Sequence, residues 1–249
     1  RSQIIYFILM IIALNYIYFV RTMGTSIILA IMIYLGILCV QKGLTLLKSK
    51  RKNDEITIQA ANKQALFSHL IILCVVIASF AGAKTAWDMR NKSIGVTSSD
   101  YLHDFKKKPK GETMATFSDW TERIENNLVS YVGKWIPTAI ISDDPGFDEK
   151  ITTSGLIEGI CILIIVLLGL IALKKMQLLL FLYIGITMAV LMIWPEQYAG
   201  HRYFIGIIPL FIFLLLNGCL EIMNSITKKL SFGKYQHIIP AGGLIGFLV

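Results

Sequence analysis

The densest polar chemistry in this largely apolar sequence lies in Trp194-Pro195-Glu196-Gln197-Tyr198-Ala199-Gly200-His201-Arg202-Tyr203. An acid, an amide, an imidazole, a guanidinium and two phenols stand together here, between two apolar runs, which is more than a connecting turn requires. Arginine is planar and always charged, and it offers paired N–H donors that match two phosphate oxygens. At the start of a helix it stands beside backbone N–H groups that also favour an anion. Arg202 occupies that position, with His201 and Tyr203 on either side and Glu196 on the opposite arm. A phosphate carried on a lipid chain would present its charge at this depth. The same spacing also suits a purely structural role, in which Arg202 anchors the chain at the membrane surface and pairs with Glu196.

The elements that must position this hairpin are membrane spans. The sequence is 55% hydrophobic and 16% charged, which leaves a soluble fold too little polar surface to cover itself. Apolar runs cover 3–20, 25–41, 65–83, 155–173, 176–194 and 203–222, and another begins at 238. Most approach the roughly 20 residues that cross a hydrocarbon core of about 30 Å. Lipid cannot satisfy exposed backbone groups and barrel-type alternation is absent, so each span is expected to be helical. The expected fold is an all-α polytopic bundle of about six complete transmembrane helices in contact with the lipid bilayer.

Positive charge sets the orientation. Lys42, Lys48, Lys50, Arg51, Lys52 and Lys63 crowd one connection, Lys174 and Lys175 another, and Lys228, Lys229 and Lys234 a third. Alternating spans bring all three to one side, which the positive-inside rule makes cytoplasmic. The formal charge of +8 is thereby topological, and nucleic acid is set aside as a partner. Three regions follow: helices over 1–83 with a basic loop near 42–64, an extracytoplasmic segment over 84–154, and helices over 155–249. Cys39, Cys74, Cys161 and Cys219 lie singly within apolar runs and suggest neither zinc nor a disulfide framework.

The outer segment contains its own helix signal. Asp119 and Glu122 read as a capping start, and Trp120, Ile124, Leu128, Val132 and Trp135 recur at helical spacing up to the stop at Ile136-Pro137. An amphipathic helix of this kind either lies in the membrane interface or packs on other outer structure. Asp143, Asp144 and Asp148 offer carboxylates to a divalent cation but lack calcium-loop spacing, and a solvated turn accounts for them better. Glu158 falls about one turn into the fourth span, near enough to reach the interface. Asn15 and His69, inside spans, are expected to hydrogen-bond between helices.

His201-Arg202-Tyr203-Phe204-Ile205-Gly206-Ile207-Ile208-Pro209 resembles the Arg-Tyr-x-x-Pro-x-x-Pro element of GT-C membrane glycosyltransferases, the group that includes protein mannosyltransferases and lipid A aminoarabinose transferases. Arg202, Tyr203 and Pro209 match, and Gly206 stands where the first proline is usual. The outer helix ending in Lys134-Trp135-Ile136-Pro137 before an Asp-rich turn is similar to that family's later outer loop. The resemblance implies transfer of a sugar from a polyprenyl-phosphate donor to a glycan, lipid or protein acceptor outside a bacterial inner membrane. Arg202, His201, Tyr203 and Glu196 would then lie near the carrier phosphate, with a divalent cation as a conceivable cofactor. In that family the acceptor is activated by a carboxylate after the first span. Here the link is Arg21-Thr22-Met23-Gly24, which has none, so the catalytic residue is not identified. Together with a start at Arg1 and an end inside the run from 238, this suggests the C-terminal part of a longer chain. A lipid-linked polysaccharide polymerase or ligase, a transporter and a non-catalytic scaffold are the competing readings.

Overall fold

An apolar segment in lipid must satisfy its backbone internally, and the helix is the local way to do so. The structure, a computed structural model, describes residues 2–20, 24–52, 56–95, 116–141, 150–174, 176–193 and 204–229. Among these, 93% are helical and none is in a strand, so the fold is all-α as expected. The helices are α1 (Ser2–Val20), α2 (Gly24–Lys52), α3 (Ile56–Ser93), α4 (Phe117–Ser130), α5 (Ile136–Ile141), α6 (Thr153–Ala172), α7 (Gln177–Ile193) and α8 (Ile208–Lys229). A π-helical turn, Tyr131–Trp135, joins α4 to α5.

Four stretches, Gly24–Ser49, Gln59–Ser93, Thr153–Ala172 and Ile208–Thr227, are long and apolar enough to cross a membrane. Among the described residues these stretches account for four of the six expected spans. α1 is an apolar helix of 19 residues and α7 one of 17, which reach about 28 and about 26 Å at 1.5 Å per residue. Pro195, two residues beyond α7, is a helix stop. α2 and α3, by contrast, outrun the apolar segments that nucleate them. α2 carries Lys42 and Lys48 on its last turns, and α3 continues ten residues past Ala83, where the outer loop was expected to begin. An established helix gains a hydrogen bond with each residue added, and lysine, arginine, glutamine and leucine are good helix formers.

The chain forms two compact units, Arg1–Thr113 with Leu182–Val190, and Met114–Phe181 with Leu191–Val249. In the first, α1, α2 and α3 pack around Leu14, Ile28, Leu35 and Val76, with Met10, Ile31 and Ile72 against them. Asn15 Nδ2 donates to Ser79 Oγ at 2.5 Å, which ties α1 to α3 as the sequence led one to expect. His69 differs. Its Nδ1 lies 2.6 Å from the carbonyl of Ala65 in its own helix, because the imidazole reaches back one turn more easily than it crosses to a neighbour. Only 6% of α3's apolar window is buried against the protein, and the remaining surface requires lipid.

In the second unit α6 and α8 cross at two glycines. The Cα of Gly169 lies against the carbonyl oxygen of Leu214, and that of Gly218 against the carbonyl oxygen of Ile165. A Cβ at either position would overlap the facing backbone. Small residues allow this approach where lipid supplies no hydrophobic drive, since contact is then dominated by close packing and interhelical hydrogen bonds. Asn217 Nδ2 supplies such a bond to the Gly169 carbonyl at 2.7 Å. Ile162, Val166 and Leu170 of α6 and Phe211, Leu214 and Leu215 of α8 complete the buried layer.

Gly169→Val is expected to force the α6–α8 crossing apart and lower stability by about 1–3 kcal/mol, the usual cost of overpacking. Thermal unfolding in detergent checks this against Gly185→Val, whose Cβ would meet nothing within 4 Å.

Candidate functional site

Glu196, His201, Arg202 and Tyr203, the residues expected to meet a phosphate, lie outside the described residues, as do Asp143, Asp144 and Asp148. The flanks of the 194–203 hairpin are described, and both belong to the second unit.

The incoming flank is the C-terminal end of α7. The last carbonyls of a helix have no partner within it, and they carry its negative dipole end. Asn127 Nδ2 donates to the carbonyls of Met192 at 2.8 Å and Leu191 at 3.3 Å, and Arg123 NH1 donates to that of Ile193 at 3.3 Å. Both donors come from α4 and are buried, Asn127 at 1% exposure. The Arg123 guanidinium also lies 5.4 Å from the ring centroid of Trp120. One turn further on, Tyr131 is fully buried and meets Phe204, the first described residue after the hairpin, at a centroid separation of 6.4 Å. Phe204 stacks edge-on with Phe211 at 4.9 Å, and a turn from Phe204 to Ile207 leads into α8. Pro209 falls in the first turn of α8, where its missing N–H breaks no helical bond. Arg123, Asn127 and Tyr131 recur every four residues, so a single face of the outer helix holds both flanks of the hairpin.

The capping of α4 differs from the expectation. Asp119 is not the first capping residue: Thr116 is the N-cap, its N–H donates to Asp119 Oδ2 at 2.8 Å, and its hydroxyl accepts from Asp119 N at 3.4 Å. The helix therefore begins at Phe117. The apolar positions Ile124 and Leu128 are exposed, at 39% and 48%, while the polar Arg123 and Asn127 are buried. Helix α7 ends in acceptors that only polar donors can satisfy, and this outweighs the burial of two aliphatic side chains. The exposed apolar stripe remains available to the membrane interface.

Pro137 does not stop the helix either. Ile136 N donates to the Tyr131 carbonyl five residues back, and the widened π turn carries the chain through Pro137 to Ile141. Proline has no N–H for Val132, its partner in that register. The carbonyls of Val132 and Gly133 instead face Gly159 and Gly155 of α6, where a Cβ would overlap them. Contacts of this kind place Cα–H groups against the carbonyl oxygens.

Beside this contact opens a cleft of about 170 Å³, lined by Lys134, Thr138, Lys150, Thr152, Ser154 and Glu158 among others. Lys134 is 7% exposed, and its Nζ lies 4.9 Å from the centroid of Trp135. Thr138 Oγ1 donates to the Lys134 carbonyl at 2.7 Å. Thr152 caps α6, its hydroxyl accepting from Gly155 N at 3.1 Å and lying 3.1 Å from Ser154 Oγ. Glu158 is the sixth residue of α6, is exposed, and faces this cleft. Sequence reading missed the cleft and the clamp, although Arg-x3-Asn-x3-Tyr and Gly-x3-Gly are both visible as four-residue repeats. Among the described residues, no three His, Cys, Asp or Glu side chains gather to hold a metal ion.

No family model, curated protein or solved structure matches the chain. The helices define its class by themselves: it is a multi-pass α-helical membrane protein. Within that class, α4 and the π turn bind the C-terminal end of α7 and Phe204.

Asn127→Leu leaves the terminal carbonyls of α7 without two donors and is expected to cost about 1–3 kcal/mol. Thermal unfolding in detergent measures the loss, and protection of the amide groups across 191–211 from hydrogen exchange falls with it.

Proposed function

We propose that this chain is part of a GT-C-like glycosyltransferase of a bacterial inner membrane, and that the 194–203 hairpin receives the phosphate of a polyprenyl-linked sugar donor on the outer face. The observation that carries this reading is the clamp: Arg123, Asn127 and Tyr131 hold both flanks of the hairpin on one helix face. A catalytic loop gains from such fixed flanks, because a charge held in position stabilises a developing charge without reorganising. A simple interfacial anchor has no need of them.

In the proposed reaction an acceptor oxygen bonds to the anomeric carbon as the bond from that carbon to the phosphate oxygen breaks. The electron pair leaves with the polyprenyl phosphate, and the acceptor proton passes to a carboxylate base. Negative charge grows on the phosphate, where Arg202 would bind it through two N–H donors, with His201 and Tyr203 adding hydrogen bonds. Glu196 would orient Arg202. The Arg202–Tyr203 pair and Pro209, at family spacing, add to the case.

The full-length protein in nanodiscs, given radiolabelled polyprenyl-phosphate sugars, is expected to bind the carrier and release polyprenyl phosphate in the presence of acceptor. Arg202→Ala should lower transfer by at least tenfold while the protein remains folded, since a charge-assisted hydrogen bond is worth about 1.5–3 kcal/mol. Absence of carrier binding by the wild type over a panel of monophosphate and pyrophosphate donors would overturn the proposal.

A further inference from the structure

The cleft beside the π turn lies in the same unit as the hairpin clamp but is lined by different residues. Tyr131 of the π turn faces Phe204, whereas Lys134, three residues on, lines the cleft with Lys150 and the first turns of α6. Two ammonium groups stand there against one carboxylate, Glu158, so the charged side chains of the lining sum to one positive charge. A lysine ordinarily keeps its ammonium in water. Lys134 does not: it is 7% exposed, with the Trp135 ring beside its Nζ. The π turn itself adds to this, because single π turns inside helices recur at functional sites. Here that turn lies flat on Gly155 and Gly159, which brings Gly133 and Lys134 to the wall of the cleft. The cleft opens where α6 begins, at Thr152 and Thr153, the boundary between polar chain and apolar span.

We propose that this cleft is a binding site for a hydroxyl-bearing phosphate ester. Lys134 and Lys150 bind the phosphate oxygens, Ser154 donates its hydroxyl to the same group, and Glu158 accepts from a hydroxyl of the group esterified to it. The volume equals about five or six waters at roughly 30 Å³ each, which admits a head group and excludes a long glycan. Its position at the start of a membrane span favours a lipid head group over a free metabolite. The site is built from its own lining and does not require the transferase reading.

Trp135 provides the readout. Full-length protein in phosphatidylcholine nanodiscs is titrated by raising the share of phosphatidylglycerol, and tryptophan emission is followed, with Trp135→Phe assigning the signal. A saturable change is expected, weakened about tenfold or more in Lys134→Gln and in Lys150→Gln. Lys134→Arg retains it, which separates loss of charge from loss of fold. Glu158→Gln should lessen the preference for phosphatidylglycerol over phosphatidic acid, which lacks the hydroxyls. Soluble glycerol phosphate competing at equal concentration would assign the same chemistry to a free ester in place of a lipid. An emission change that is absent, or that persists at wild-type strength in both lysine variants while they unfold at the wild-type temperature, overturns the proposal.

Discussion

A helix that ends in or near lipid leaves carbonyl groups that no water can fully serve, and the second unit of this protein is arranged around satisfying one such end. Asn127 and Arg123 donate to the last three carbonyls of α7, and to do so they occupy the buried face of α4. An unmet buried acceptor costs more than a well-made hydrogen bond contributes, so this demand outweighs the ordinary preference to bury aliphatic side chains. The outer helix is turned accordingly, with Ile124 and Leu128 outward and the polar side chains inward. Once that orientation is set, Tyr131 falls on the same face and meets Phe204. Ile193 and Phe204 are therefore both tied to a single rigid element.

Backbone proximity is the second organising feature. The two glycine pairs on α6, Gly155 with Gly159 and Gly169 with its partner Gly218 on α8, let polypeptide backbones approach where a Cβ would intervene. At the outer end of α6 this closeness accommodates a π turn whose carbonyls face the glycines. Near the C-terminal end of α6 it accommodates α8, with Asn217 bonded across the gap. The two contacts hold α6 between the outer helix and α8, so the outer cleft and the helix crossing share one support. A residue that pushed α6 away at Gly169 would disturb the same helix that forms the wall of the cleft.

Much of the architecture was legible in the residues. The all-α class, the apolar runs and the outer amphipathic helix follow from hydropathy and helical spacing, because the bilayer admits few alternatives. Asn15 was also read as an interhelical donor, and it bonds to Ser79. Helix ends were less legible. α2 and α3 extend well past their apolar cores, because helix growth depends on local propensity while hydropathy marks only the lipid-contacting portion. Pro137 was read as a stop because its ring and missing N–H normally end a helix, but a π turn moves the hydrogen-bond register and absorbs both defects.

By itself the sequence determined that the protein is built of membrane helices, and that a polar segment with an Arg-Tyr pair precedes the last described helix. Those properties are sums over neighbouring residues, and neighbours are what a sequence records. Tertiary structure alone decided which face of α4 is buried, that Arg123, Asn127 and Tyr131 form one clamp, and that Lys134 and Lys150 share a cleft with Glu158. Several of these pairs lie far apart along the chain, Lys134 and Glu158 by 24 residues and Tyr131 and Phe204 by 73. Hydropathy cannot foresee such pairings, because what selects them is the need of distant backbone groups for hydrogen-bond partners.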